Sequence, residues 1–343
     1  MHFVIVGAGA VGQWIGANLI RAGHRVTFVG RPGFVEAVRR EGISAQAASG
    51  ERWRIQPVEA TATLDPTVAC DAFVACVKAY DVREVAALLA PASAPVVAMQ
   101  NGIGSEEAFV EQLGAERVIA GTLVTAVTLD SAAPIVTAQR RSGGVGLAAV
   151  GEVPTFAAIA RAFTQASLLR TRVYADWRAM KWSKLLLNLT GNLTSALFRQ
   201  PYDKLLRDAR AADIEMRMLR EAEAVMRALG IRAVNLPGAP AALFAFALRR
   251  LPDPLLRLVL ARFLARARGD KLPSLYYDLA QGRAKSEVDV LNGAVVRFGQ
   301  AAGVPTPVNI ALLEALQLAP LTPERVIDYV TKQLSAKLTP LAR

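Results

Sequence analysis

Histidine is nearly missing from this chain: two in 343 residues. His2 precedes the first apolar run and His24 sits in a Gly-His turn, so a catalytic histidine is not expected. Cysteine is equally scarce. Cys70 and Cys76 flank or lie in an apolar strand and have no partners at metal-ligand spacing, which excludes a disulfide framework and a zinc site. No metal is expected, and a reducing, cytoplasmic compartment fits. No apolar run reaches about 18 residues, so no integral membrane segment is expected. The first strand starts at Met1, which leaves no room for a signal peptide. Acidic residues are outnumbered, 29 against 40 basic, for a net charge of +11. Yet the arginines are scattered, with no lysine-rich tail and no basic stripe interleaved with aromatics, so nucleic acid is not the expected partner. A basic surface that attracts an anionic cofactor and substrate is the simpler reading.

What is present is organised around the opening dozen residues, MHFVIVGAGAVG. Phe3–Val6 reads as a strand. Gly7, Ala8, Gly9, Ala10, Val11 and Gly12 follow with G-x-G-x-x-G spacing, and a helix is expected over 11–21. Gly7 permits the turn out of the strand, Gly9 lets backbone approach a pyrophosphate, and Gly12 lets helix and strand pack closely. The phosphates would meet the free N–H groups and dipole of the helix N-terminus. A second strand, Arg25–Val29, completes the context in which this motif signals a dinucleotide.

Strands and helices then alternate, which predicts a parallel sheet covered on both faces. Strands are expected over 72–77 and 95–99. The β-rich runs at 118–129, 135–138 and 144–149 read as antiparallel additions to the sheet edge, closed by a strand near 171–174. In an NAD-specific domain an acid follows the second strand to bind the ribose 2′-hydroxyl. Here Arg31 follows instead. A guanidinium suits a 2′-phosphate, so NADP(H) is expected rather than NAD(H); a plain surface arginine is the alternative. Lys78 and Asn101 fall at carboxyl ends of predicted strands, the ligand edge of such a sheet. Lys78 would meet ribose or phosphate, and Asn101 the nicotinamide amide or the substrate, although Asn-Gly is also an ordinary turn pair.

From Asp176, a candidate N-cap, only helices are expected. The boundary is placed near residue 175, giving 1–175 as a Rossmann-type domain and 176–343 as an all-helical substrate domain. The fold class is therefore α/β with a helical C-terminal domain. One helix is expected over 177–198. It puts Lys184, Asn188 and Asn192 on one face at i, i+4 and i+8, with leucines covering most of the rest. A lysine buried there loses proton affinity and becomes a proton donor near neutral pH. The alternative is a snorkelling lysine with two asparagines tying helices together. Lys181 is the weaker candidate for the acid. Near the end, Glu287 opens a helix, where it would serve the dipole or orient Lys184, and Ser274 could bond a carboxylate.

With these residues assembled, the chain resembles the ketopantoate reductase family, also called 2-dehydropantoate 2-reductases. The resemblance rests on GAGAVG, VKAYD, MQNGIG, KWSKLLLNLTGNLTSAL and SLYYDLAQGRAKSEVDVLNG, in order and over nearly the whole length. It implies NADPH-dependent reduction of the ketone of ketopantoate to pantoate, in pantothenate biosynthesis. By the resemblance Lys184 is the general acid, Glu287 the acidic partner of the substrate site, and Asn101 the residue that positions substrate and nicotinamide. Asn188 and Asn192 bond substrate oxygens and Ser274 holds the carboxylate. Tyr202-Asp203 stands where that family carries an Asn-Gly turn. Residues 234–270 read as an insertion, for which a reshaped substrate mouth, a homodimer face, a membrane-surface face and ordinary helix packing are all open. Two other functions remain: reduction of a different 2-keto acid, and non-catalytic sensing of NADP. The stripe headed by Lys184 speaks against the sensor, which has no need of a proton donor.

Overall fold

The computed structural model describes residues 1–130, 135–265, 273, 275–277, 287–318 and 322–338. By contacts these divide into two compact units. The first comprises Met1–Gln100, Gly104–Lys181 and Asn235–Pro240; the second comprises Asn101–Ile103, Trp182–Val234 and the chain from Ala241 onward.

The first unit is built on an eight-stranded sheet. Its strands are β1 (His2–Val6), β2 (Arg25–Val29), β5 (Glu59–Thr61), β6 (Ala72–Ala75), β7 (Val96–Ala98), β8 (Val118–Leu123), β11 (Val145–Ala149) and β12 (Arg172–Val173), in the order β12-β11-β8-β7-β6-β1-β2-β5. The pairings from β5 across to β8 are parallel, and β11 runs antiparallel to β8. Strand alternation places Phe3 and Ile5 in one core with Trp14, Phe28 and Phe163. Val4 and Val6 enter the opposite core with Phe73 and Phe109. Burial on both faces is what a central parallel strand requires.

Helices α1 (Ala10–Arg21), α2 (Pro32–Glu41), α3 (Val82–Leu88), α4 (Ser105–Leu113) and α5 (Phe156–Gln165) accompany the sheet. One of these corrects the sequence reading, which took 118–129 as an antiparallel addition to the sheet edge. Helix α4 carries the chain from β7 to β8, so β8 is a parallel strand and not an antiparallel addition. A second correction concerns β9 (Val127–Asp130) and β10 (Ile135–Ala138). With β3 (Ile43–Gln46) and β4 (Arg52–Ile55) they form a separate four-stranded sheet, order β4-β3-β10-β9, and do not extend the large one. Local pattern predicts a strand, but the choice of partner belongs to distant residues.

The second unit is helical. Helix α6 (Trp177–Leu189), which crosses from one unit into the other, is followed by α7 (Leu193–Leu197), α8 (Tyr202–Leu205), the 20-residue α9 (Ala209–Ala228), α10 (Ala241–Arg250) and α11 (Asp253–Val259). After the undescribed stretch come α12 (Asn292–Ala301), α13 (Pro307–Gln317) and α14 (Pro323–Leu338). Leu185, Leu186, Leu189, Met218, Leu219, Val295 and Leu312 are among the buried side chains of its core.

Candidate active site

Four parallel strands deliver residues to one edge of the large sheet. The carboxyl ends of β1, β2, β6 and β7 lead into Gly7–Gly12, Gly30-Arg31, Val77-Lys78 and Met99-Gln100. Gly7 has φ +102°, and a Cβ on it would lie 2.8 Å from Val77 N. Gly12 is tighter, since its Cβ would lie 2.1 Å from Gly7 O. These two glycines are required by the protein itself. Gly9 differs. Its backbone is extended (φ −78°, ψ −170°), a region open to any residue, and a Cβ there would meet nothing within 4 Å. The open side of Gly9 is the space in which a diphosphate would approach. No side chain caps helix α1 at Gly9 and no acid stands in its first turn, so its N-terminal N–H groups and dipole face that space unopposed by a carboxylate. These residues fit a dinucleotide.

Arg31 is the N-cap of α2, directly after β2. It is exposed, and its guanidinium makes no hydrogen bond or ion pair among the described residues. Lys78, also exposed, heads the short turn Ala79–Asp81.

In the helical unit the structure brings three of the sequence motifs together. Asn101 and Asn188 share a hydrogen bond, Nδ2 of Asn188 donating to Oδ1 of Asn101 at 3.2 Å. The Asn101-Gly102-Ile103 turn also docks on the turn Glu287–Val290: Ile103 N donates to Val290 O at 3.0 Å. A Cβ on Gly102 (φ +82°) would meet that same oxygen, so the contact demands glycine. Asn101, Asn188 and the turn opened by Glu287 are thus gathered by the fold. Lys184 stands one helical turn before Asn188 on α6 and, like Asn188 and Asn192, is half-buried.

Helix α6 begins as expected, with Asp176 Oδ1 accepting from Ala179 N at 3.0 Å. It does not run to residue 198. It stops at Leu189, and Asn192 becomes the N-cap of α7. Asn192 therefore does not continue the i, i+4, i+8 stripe. The cause is tertiary. Gly191 takes a left-handed conformation (φ +55°) against the ring of Tyr202. Glu215, wholly buried on α9, accepts from Gly191 N at 2.7 Å and from the Thr194 hydroxyl at 2.6 Å. Ser274 lies outside the described residues.

Sequence reasoning missed Glu215 and also the environment of Lys181. Of the two lysines on α6, Lys181 is the one completely buried, 1% exposed and paired at 2.8 Å with Glu106, 0% exposed. Nothing local announces either: a lone glutamate in a helix ordinarily faces water. The cysteines are inert. Burial pushes the Cys70 thiol up to about 11 and moves Cys76 in the same direction. Among the described residues there is no group of three or more His, Cys, Asp or Glu able to hold a metal. No helix there is long and apolar enough to cross a membrane.

A glycine loop at the carboxyl edge of a largely parallel sheet, followed by a helical unit, defines a dinucleotide-binding protein of the Rossmann type. The family described as ketopantoate reductase PanE/ApbA matches residues 3–150, and its C-terminal counterpart matches residues 176–319. The chain belongs to the ketopantoate reductase family, whose members are oxidoreductases. It is 30% identical over 322 residues to a 2-dehydropantoate 2-reductase of Caulobacter vibrioides, covering 92% of this chain and 98% of that one. It is 27% identical over 318 residues to one from Archaeoglobus fulgidus, covering 91% and 96%. Among solved structures, a PanE/ApbA family ketopantoate reductase of Ralstonia eutropha matches with a TM-score of 0.74 and 29% identity over 97% of this chain and 100% of that one. A D-mandelate dehydrogenase solved with NADH and anilino(oxo)acetate shares the fold, with a TM-score of 0.74 at 20% identity over 96% and 99%.

Proposed function

We propose that this chain reduces the ketone of ketopantoate to pantoate with NADPH, and that Lys184 supplies the proton. The observation that carries the reading is the gathering of Asn101, Asn188 and the Glu287 turn beside the helix that bears Lys184, in a chain that belongs to this family.

Gly7–Gly12 hold the diphosphate on the N-terminus of α1, Lys78 contacts ribose or phosphate, and Arg31 takes the 2′-phosphate in a bidentate contact. The absence of an acid after β2 favours the phosphorylated cofactor. A bound reduced nicotinamide supplies a hydride to the ketone carbon. As that carbon gains a hydrogen, the carbonyl π pair passes to oxygen. The Lys184 ammonium stabilises the developing alkoxide and transfers one proton to it, becoming a neutral amine that solvent reprotonates. Glu287 is the acidic partner of the substrate site. Asn101 orients the nicotinamide amide and the substrate, Asn188 and Asn192 bond substrate oxygens, and Ser274 holds the carboxylate.

The test is NADPH oxidation by the purified protein with ketopantoate, beside a panel of other 2-keto acids. Ketopantoate should be the best substrate. Lys184→Ala should lose about 10²- to 10⁴-fold in kcat, the range for a missing acid, with NADPH binding unchanged. Arg31→Ala should weaken NADPH about 100-fold, two charge-assisted bonds' worth, and NADH hardly at all. Tight NADPH binding without turnover of any keto acid would overturn the reading.

A further inference from the structure

The ammonium of Lys181 is buried inside the first unit with three partners. Besides Glu106 Oε1 at 2.8 Å, Nζ donates to Gln100 O at 2.5 Å and to Gly121 O at 3.3 Å. Two of its protons go to these carbonyls, and the carboxylate is held as an ion pair. A buried ion pair is weak evidence for stability, because well-packed apolar residues often do as well. What methyl groups cannot do is bind a carbonyl oxygen and so fix the plane of a particular peptide. The peptide fixed here is the one that joins Gln100 to Asn101.

Gln100 is held from its other end as well. Its side chain is buried, and Nε2 donates to Ala75 O at 2.9 Å and Val77 O at 3.2 Å. Val77 in turn underlies the glycine loop, with its N–H close below Gly7. Lys181, Gln100, Val77 and Gly7 thus form one run of contacts beneath the ligand edge of the sheet. Asn101 is the next residue along the chain.

We propose that Lys181 and Glu106 are a positioning pair for the reaction: the ammonium, oriented by the carboxylate, tethers the Gln100–Asn101 peptide and sets the direction in which the Asn101 side chain leaves the backbone. The proposal rests on the reductase reading above. Lys181 touches no reacting atom, and Lys184 remains the proton donor. Burial raises the proton affinity of Glu106, and the charge of Lys181 opposes that shift, so removing the ammonium alone leaves an acid with no counter-ion.

The experiment compares the full-length protein with Lys181→Met and with the charge-free double variant Lys181→Met/Glu106→Leu. Four quantities are read: melting temperature, NADPH affinity, kcat and KM for ketopantoate, and amide hydrogen exchange over residues 99–104. Lys181→Met should melt lower, and the double variant should regain most of that loss because no buried charge is left unpaired. The double variant should nevertheless keep kcat at least about 30-fold down, the scale of a small misplacement of a reacting group. Its NADPH affinity should hold within about 3-fold, a difference of under about 1 kcal/mol, and residues 99–104 should exchange faster. Recovery of kcat together with melting temperature would overturn the proposal and leave a merely structural pair. If Lys181→Met does not fold, the double variant carries the comparison. If the unaltered protein does not turn over ketopantoate, the reductase reading fails separately, and exchange over 99–104 decides the tether: no change there overturns it.

Discussion

Asn188 donates a hydrogen bond to Asn101 over 3.2 Å, joining a loop to a helix 87 residues further along the chain. Each amide fixes the other's rotamer, so the two act as one unit, and Ile103 bonded to Val290 anchors the loop next to them.

Groups that act as a unit give non-additive losses. Asn101→Ala and Asn188→Ala should each lower kcat/KM at least about tenfold. The double variant should fall short of the product of the two by a coupling of roughly 1 kcal/mol, the worth of a side-chain hydrogen bond. A full double-mutant cycle on kcat/KM measures it, and strict additivity would mean that the bond has no part in catalysis.

Two glycines of the loop should separate stability from binding. At Gly12 a Cβ collides with Gly7 O at 2.1 Å, so Gly12→Ala should cost about 1–3 kcal/mol of stability as an overpacked site. At Gly9 a Cβ meets nothing and the backbone is ordinary. Gly9→Val should melt like the unaltered protein yet bind NADPH at least about tenfold more weakly, because its methyls occupy the approach of the diphosphate. Thermal melts and a cofactor titration on the two variants check this.

Glu215 ends α6 by taking Gly191 N–H and the Thr194 hydroxyl at 2.7 and 2.6 Å. Glu215→Leu leaves both donors without that acceptor inside the core. It should cost about 2–4 kcal/mol in denaturant unfolding, since two buried donors lose their acceptor. The turn that holds Asn192 should loosen with it, raising the KM for the keto acid.

Of the two histidines, His24 carries a stability contribution whose sign can be worked out. Burial lowers the proton affinity of His24 below the ordinary imidazole value of 6.5, where its ring also packs edge-on to Phe3 at 5.7 Å. A depressed value in the folded state means that the unfolded chain binds the proton more readily. The stabilisation is therefore complete above pH 6.5 and is lost as pH falls through the folded value. The stability difference between the unaltered protein and His24→Gln should therefore shift against the unaltered protein as pH falls below 6.5, while burial raises the proton affinity of Glu106, Glu221 and Glu223 in both proteins alike. An NMR titration of the His24 ring that returns a value above 6.5 would contradict the assignment.

Much of the first unit was legible because its signals are local. The apolar run Phe3–Val6, the glycine spacing after it and the strand Arg25–Val29 each specify their own backbone, and together they set a strand-loop-helix turn at the carboxyl edge of the sheet. The four-residue spacing likewise sets Lys184 and Asn188 on one helical face wherever α6 happens to pack. Arg31 follows β2 by sequence alone.

What failed to show was decided by residues far apart in the chain. The sequence reading ran α6 through Asn192 and passed over Gly191, whose left-handed turn ends the helix; Glu215 and Tyr202 hold that turn from outside. Strands β9 and β10 carry the right pattern but found their partners in β3 and β4, a choice that no strand encodes alone. Lys181 read only as the weaker candidate for the proton donor, and no sequence signal singled out Glu106. Only the packing of β7, β8, α4 and α6 buries them against each other, and burial converts an unremarkable lysine into a tether on the peptide before Asn101. Local chemistry and periodicity belong to the sequence, whereas the value of a charge depends on what surrounds it, and that was settled by the tertiary structure.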